Sequence, residues 1–508
     1  MTARAINALP SRPARIMPAA TGLLVLLAAF MPAGCQSDNP FDLSSSSAST
    51  TPASGTKRPV GGGTTASPTP SGAGVGGVGG DIVRGVLPGV AGEPEMRVRL
   101  AASSSRVLLS GTNRMVWVAP LGAPRQPARM QGPVAARTTA SGWELTDAAG
   151  LIARFDRGAI VAIAGEEGVL GPATTEGGSP RTPALGRTPS AVAATSAARV
   201  TVDGKSYAGL ITLVGRSDGT TFDVINRLPL EEYLKGVVSS EMFSGWPLAA
   251  YQAQAVAARS YAISERTRSR ALGAGFDVES DVRDQAYKGG AENPIAARAV
   301  TDTRGVVLTW NGDVLRAYYS STCGGRPAAA RDTWPTGPTM AFNLAGPLQG
   351  QARDHACQAA SYYRWTVVRP RAELTERMRA FGREAGHPIK AITGIESIRP
   401  AGVNAAGRTN RFLVVQAGGQ SFTLTGEELR RAANTEIPGR TPITAATRLH
   451  SSDTEVVVGG TNVTFSGRGF GHGVGLCQWC AKGFADRGES FAAVLARFYP
   501  GARLERVY

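Results

Sequence analysis

Residues 228–262 read LPLEEYLKGVVSSEMFSGWPLAAYQAQAVAARSYA, and this stretch organises the reading of the whole chain. Pro229 followed by Glu231 and Glu232 predicts a helix start, because proline suits the first turn and acids suit the positive end of a helix dipole. A second helix is predicted from Pro247 to about Arg268, and its face of Ala250, Ala253, Ala257 and Ala258 lets another element approach closely. Between Glu232 and Glu265 the one carboxylate is Glu241, set after two serines and before Met242, Phe243 and Trp246. Most glutamates at such positions are surface acids at a helix end. A carboxyl among apolar and aromatic neighbours is instead partly desolvated, which raises its pKa toward the range a general acid needs.

Outward from this pair of helices the pattern is short β-type runs split by glycine and proline: MRVRLA, RVLLSG, MVWVA, WELTD and LIARF from Glu95, then ARVTVDGKSYAGLITLVGRSDGTTFDVINRL before Pro229. VVLTWNGDVLRAYYS has two alternating runs around Asn311-Gly312, a strong hairpin signal. Later come a helix over AELTERMRAFGRE, strands at RFLVVQ and SFTLT, and a last helix near Phe491 to Phe498. No fixed-period repeat is present, which excludes solenoids and propellers. The fold class is α+β, a mainly β framework with a few helices.

The 508 residues are 42% hydrophobic, enough for one large or two ordinary domains with real cores. The formal charge of +15 invites a polyanionic partner, but arginine outnumbers lysine 48 to 6 and no basic run is interleaved with aromatics, so nucleic acid is excluded. At the N-terminus, Arg4, Arg12 and Arg15 precede TGLLVLLAAFMPAGC, an apolar stretch too short to stay across a bilayer and ending in small residues. Residues 1–35 therefore read as an export signal. Ala33-Gly34-Cys35 is similar to the end of a bacterial lipobox, with Pro32 where leucine is usual; Cys35 would then carry acyl chains and hold the protein on a membrane as an envelope or periplasmic lipoprotein. Residues 36–94, rich in Gly, Ser, Thr and Pro, read as a disordered tether, 95–170 as a β-rich part, and 171–197 as a flexible insertion.

Two further stretches carry chemistry. In YYSSTCGGR, Tyr318 to Arg326, Cys323 is open to three readings: nucleophile, metal ligand or half of a disulfide. The candidate partners for a nucleophile are His355 and His472. In SGRGFGHGVGLCQWCAKGFADRG, Ser466 to Gly488, the alternating glycines do not make a phosphate loop: no Gly-Lys-Ser/Thr follows, and His472 stands where a dinucleotide fingerprint needs glycine. Such a run suits a segment against which another backbone, or a sugar ring, lies closely. Cys477-Gln478-Trp479-Cys480 is a C-x-x-C without the βαβ context of a redox motif. Cys323, Cys357, Cys477 and Cys480 fit either two disulfides in an exported chain or, with His355 or His472, a tetrahedral Zn²⁺ site.

These three blocks, in this order, resemble the stage II sporulation protein D family, whose domain is also called the LytB or amidase-enhancer domain, with residues 198–508 as the catalytic domain. The resemblance implies an exported peptidoglycan lytic transglycosylase that cuts the β-1,4 bond between N-acetylmuramic acid and N-acetylglucosamine in peptide-stripped glycan strands. The catalytic glutamate of the family's E-M-P motif falls on Glu241, with Phe243 here in place of proline. No cofactor is required for that chemistry. The resemblance also implies a structural Zn²⁺ on Cys323, Cys357, Cys477 and His472, with Cys480 and His355 as alternatives. Gln254, Arg259, Tyr261 and His472 are the expected glycan-binding residues, the three on the second helix being otherwise ordinary helix surface. Relatives described as enhancers imply an alternative, a non-catalytic glycan-binding activator of an N-acetylmuramoyl-L-alanine amidase partner.

Overall fold

The computed structural model describes residues 92–121, 127–158, 161–166, 199–290 and 293–508, with a short strand at Val83–Arg84. The export signal with Cys35, most of the tether and the 171–197 insertion lie outside the described residues. Within the span read as tether, Val83–Arg84 pairs in parallel with the late strand Arg503–Arg506, and the Glu93 carboxylate accepts the Glu231 N–H at 3.0 Å. Ordered contacts therefore begin upstream of Glu95.

Strand and helix alternate as the α+β pattern requires, with strands in the majority. Among the described residues the largest sheet has seven strands. Its centre is Glu95–Ser104, Phe222–Pro229 and Leu210–Gly215, antiparallel neighbours whose pairing runs from Pro229 opposite Glu95 to Phe222 opposite Ser104. A six-stranded antiparallel sheet, including Arg106–Gly111, Val134–Thr139 and Gly142–Thr146, shares its apolar interior. Alternation explains the partition: Met96 and Val98 on one sheet, Val107, Leu109 and Leu145 on the other, point inward and are buried. Trp143 meets Phe222 edge-on at 5.2 Å across the two.

Pro229 ends the central strand and opens helix α1, Leu230–Glu241; Pro247 opens α2, Leu248–Ala271; and α3 is Pro294–Asp302. The first two match expectation within three residues. The third was not read from the sequence, although Asn293 before Pro294 is a regular helix opening: its side chain accepts the Ile295 and Ala296 N–H groups. The small-residue face of α2 is fully buried, and that helix packs against α1, α3, the strand Val306–Trp310 and the two C-terminal helices Gln478–Ala485 and Phe491–Phe498. The Asn311-Gly312 hairpin forms as expected, both residues having positive φ. Its return strand stops at Val314; Tyr319–Ser320 instead pairs in parallel with Leu476–Cys477.

Between these two partners the chain builds a second core. Two three-stranded sheets and the helices Arg371–Glu384 and Gly426–Ala433 enclose Leu374, Met378, Phe381, Phe412, Leu424 and Phe465. The latter helix opens on a capping box of Thr425 and Glu428. No described helix is long and apolar enough to cross a membrane.

Candidate active site and cysteine cluster

Helix α1 stops at Glu241 because Met242 turns to an extended conformation, and a Ser244-Gly245 turn then leads into Trp246 and the Pro247 cap of α2. Glu241 thus stands at the elbow between the two helices, half-buried. Its Oε1 accepts the Ala286 N–H at 3.2 Å and its Oε2 accepts from Gln478 Nε2 at 3.3 Å. The negative end of the α1 dipole works against a charge on this carboxyl, and the two donors work for it.

The donor loop is itself rigidly held. Gln285, fully buried, accepts from the Tyr233 hydroxyl at 3.1 Å and donates to Ala258 O and the Tyr319 hydroxyl at 3.2 and 3.0 Å. Tyr287 donates to Asn226 Oδ1 at 2.9 Å. Asp284, two residues before Ala286, is turned inward: it accepts from the Tyr261 hydroxyl and the Glu279 N–H, each at 2.8 Å, and burial raises its pKa. On the other flank, the rings of Phe243, Trp246 and Trp479 pack mutually at 5.0 to 5.8 Å, an aromatic wall beside the acid.

All four expected cysteines converge. Cys323, Cys357, Cys477 and Cys480 are buried free thiols whose sulfurs lie within 4.8 Å of one another. Cys323 Sγ is 3.8 Å from both Cys357 Sγ and Cys480 Sγ. That is the edge of a tetrahedron of sulfurs about 2.3 Å from a central zinc, which comes to about 3.8 Å. Backbone groups point at the sulfurs: Cys323 N–H and Cys480 N–H donate to Cys477 Sγ at 3.2 and 3.4 Å, and Ala356 N–H to Cys480 Sγ at 3.4 Å. Hydrogen bonds from Cys357, Cys477 and Cys480 hold Cys323 well below the usual thiol range, while burial pushes Cys477 up. The donor set and spacing fit a soft tetrahedral cation.

The fourth position belongs to Cys480, not His472. His472 is buried between Trp334 and Tyr318, and its Nδ1 accepts the Val474 N–H at 3.0 Å. Burial pushes its pKa down to about 3, and it lies in the interior, outside the four-sulfur cluster. His355 is likewise outside the cluster, its Nε2 sharing a hydrogen bond with the Tyr363 hydroxyl at 3.1 Å.

The other expected glycan contacts also lie inside. Arg259 is fully buried and pairs with Glu231, Nη2 to Oε2 at 2.7 Å and Nε to Oε1 at 3.0 Å. Tyr261 is buried, its hydroxyl on Asp284. Gln254 is fully buried beneath Gln478, its Oε1 accepting at 3.5 Å and its Nε2 without a partner. The small-residue face that marked α2 as closely packed also means that residues between those alanines are covered. Gln478, Trp479 and the Ala286 N–H, which do meet the acid or its flank, were not read from the sequence. The signal for the first two was their place inside C-x-x-C.

The glycine run proves to be a close backbone approach. Gly469, Gly471, Gly473 and Gly475 all have positive φ, and a Cβ on Gly475 would lie 2.0 Å from the Tyr318 carbonyl oxygen. Side chains there would push apart the strands that bring Cys323 to Cys477.

Residues 218–310, which contain α1, α2, α3 and the donor loop, match the family model of the stage II sporulation protein, and residues 343–475 match a domain of unknown function (DUF8618). The chain is 28% identical to the amidase enhancer of Bacillus subtilis over 328 residues, 60% of this chain and 45% of that protein. It is 26% identical to stage II sporulation protein D of the same organism over 296 residues, 55% of this chain and 75% of that one. An uncharacterised protein of Brachyspira hyodysenteriae is 28% identical over 302 residues, 59% of this chain and 73% of its own length. The segment that matches the family model includes the elbow of α1 and α2 with Glu241, and the chain is similar to stage II sporulation protein D and the amidase enhancer.

Proposed function

We propose that the protein is an exported peptidoglycan lytic transglycosylase in which Glu241 is the single acid/base. The observation that carries the reading is a half-buried carboxyl with an amide donor on each oxygen and an aromatic wall beside it, while the acid on its donor loop, Asp284, is engaged inside. Ordinary glycosidases need two carboxyl groups, one to protonate the leaving oxygen and one to attack or activate water. When the muramyl 6-hydroxyl closes on its own anomeric carbon, the nucleophile is already part of the substrate. Glu241 first donates a proton to the departing oxygen and then takes one from the 6-hydroxyl, leaving a 1,6-anhydro end. Phe243, where the family resemblance leads one to expect proline, packs on Trp246 and Trp479 and so stiffens the elbow by ring contacts instead of a fixed φ.

The four cysteines would hold a structural Zn²⁺, which supplies a cross-link between the segments around Cys323, Cys357 and Cys477 and takes no part in proton transfer. The N-terminal signal and Cys35 would place the domain on a membrane, facing the wall. Incubation with amidase-treated peptidoglycan, followed by mass spectrometry, should yield anhydro ends from wild type and none from Glu241→Gln. Non-anhydro, hydrolysed ends would move the chemistry to a two-carboxyl enzyme. The likeness to an amidase enhancer supports a second reading, a glycan-binding activator of an amidase. If Glu241→Gln stimulates an amidase as well as wild type does, and neither cuts glycan, that second reading stands.

A further inference from the structure

Cys477-Gln478-Trp479-Cys480 gives two sulfurs to the cluster and, between them, two side chains to the surroundings of the acid. The segment opens the helix Gln478–Ala485, with Cys477 as its N-cap residue and the Cys477 sulfur accepting the Cys480 N–H. Gln478 Nε2 reaches Glu241 Oε2 at 3.3 Å, across 237 residues of chain. Trp479 packs edge-on against Trp246 and tilted against Phe243, and its backbone N–H donates to Ser321 O at 3.1 Å, two residues before Cys323. The first turn of this helix is therefore tied to the cluster on one side and to the acid on the other.

We propose that Gln478 is a positioning residue for Glu241, and that closure of the four sulfurs on a zinc ion fixes Gln478 in place, so that metal occupancy sets turnover. The inference rests on the acid/base reading of Glu241. A side chain carried between two ligands of one ion has little freedom to rotate away, and an amide that holds one carboxyl oxygen leaves the other geometry of the acid defined. Release of the ion frees the turn, and with it the amide and the indole.

The test is a double-mutant cycle on the whole chain, with steady-state release of anhydro ends, metal content and tryptophan emission as readouts. Gln478→Met, close in volume but without a donor, should lower kcat by roughly tenfold or more with KM within about twofold, and should keep one zinc per chain. Cys480→Ser should lose zinc, shift tryptophan emission to longer wavelength as Trp479 loosens, and lower kcat. The double variant should be no slower than the slower single, because both changes remove the same restraint. As a check that does not depend on the folding of a cysteine variant, stripping zinc from wild type with a chelator should lower kcat and shift emission, and Zn²⁺ alone should restore both. Additive losses in the double variant, unchanged kcat in Gln478→Met, or stripped wild type with full activity and unshifted emission each overturn the inference. An active wild type with these insensitive variants sinks this inference alone; a wild type that releases no anhydro ends sinks the acid/base reading beneath it.

Discussion

Replacing Arg259 by methionine separates a glycan contact from an internal ion pair. The guanidinium makes two bonds to Glu231 and three more, to Val306 O at 3.1 Å, Val300 O at 3.2 Å and Thr303 Oγ1 at 3.4 Å. Burial opposes its charge, yet Glu231 overrides that and raises its pKa; burial likewise opposes the Glu231 charge, and Arg259 overrides it. Methionine fills much of the volume but strands Glu231, which then keeps only neutral donors such as the Tyr508 hydroxyl and the Gly305 N–H. Leaving one member of a buried pair uncompensated costs about 3–5 kcal/mol. At about 2–4 °C per kcal/mol, that is a fall in Tm on the order of 10 °C. Differential scanning calorimetry gives the shift, and a pull-down on amidase-treated glycan gives affinity at a temperature where the variant is folded. Arg259→Met with Glu231→Leu should recover most of the lost Tm, since it removes the stranded charge. A variant with unchanged Tm and glycan affinity lowered tenfold would refute the reasoning and return Arg259 to the groove.

Three other outcomes are expected. Burial lowers the pKa of His450 to about 4 and of His472 to about 3, so both sit neutral in the folded protein while their unfolded forms titrate near 6.5. Stability from these groups is complete above pH 6.5 and is lost as the pH falls toward 4 and 3, on the order of 2–3 kcal/mol for His450; guanidinium unfolding across that range should show the fall, and His450→Gln should flatten it. Gly475→Ala places a methyl 2.0 Å from the Tyr318 oxygen at φ +70, and should cost about 2–4 kcal/mol in the same assay, whereas Gly245→Ala, with open space around it, should cost only about 1 kcal/mol. Cys323→Ser should abolish stoichiometric zinc measured by atomic emission, while Cys357→Ser does the same from a different segment; retention of full zinc in either would break the four-sulfur reading.

What could be read in advance follows from how far each signal reaches. Local chemistry was legible: proline at the start of α1 and α2, the Asn-Gly hairpin, and the alternation that buries Met96 and Val98. The acid was legible because carboxylates are absent around it. The second core was not, since nothing in a list of local runs says that Tyr319–Ser320 skips past more than 150 residues to pair with Leu476–Cys477. The same long reach misassigned the fourth cluster position. Cys480 joins Cys323 through that pairing, while His472, five residues before Cys477, is turned toward Trp334. Polar residues on α2 looked like a groove because sequence shows type, not depth; Arg259 and Tyr261 have partners supplied by Glu231 and Asp284 from other elements.

The parallel pairing of Tyr319–Ser320 with Leu476–Cys477 has a kinetic consequence. The Gln478 amide reaches Glu241 only when segments 237 residues apart have come together, and closing so long a loop carries an entropic cost that local contacts do not.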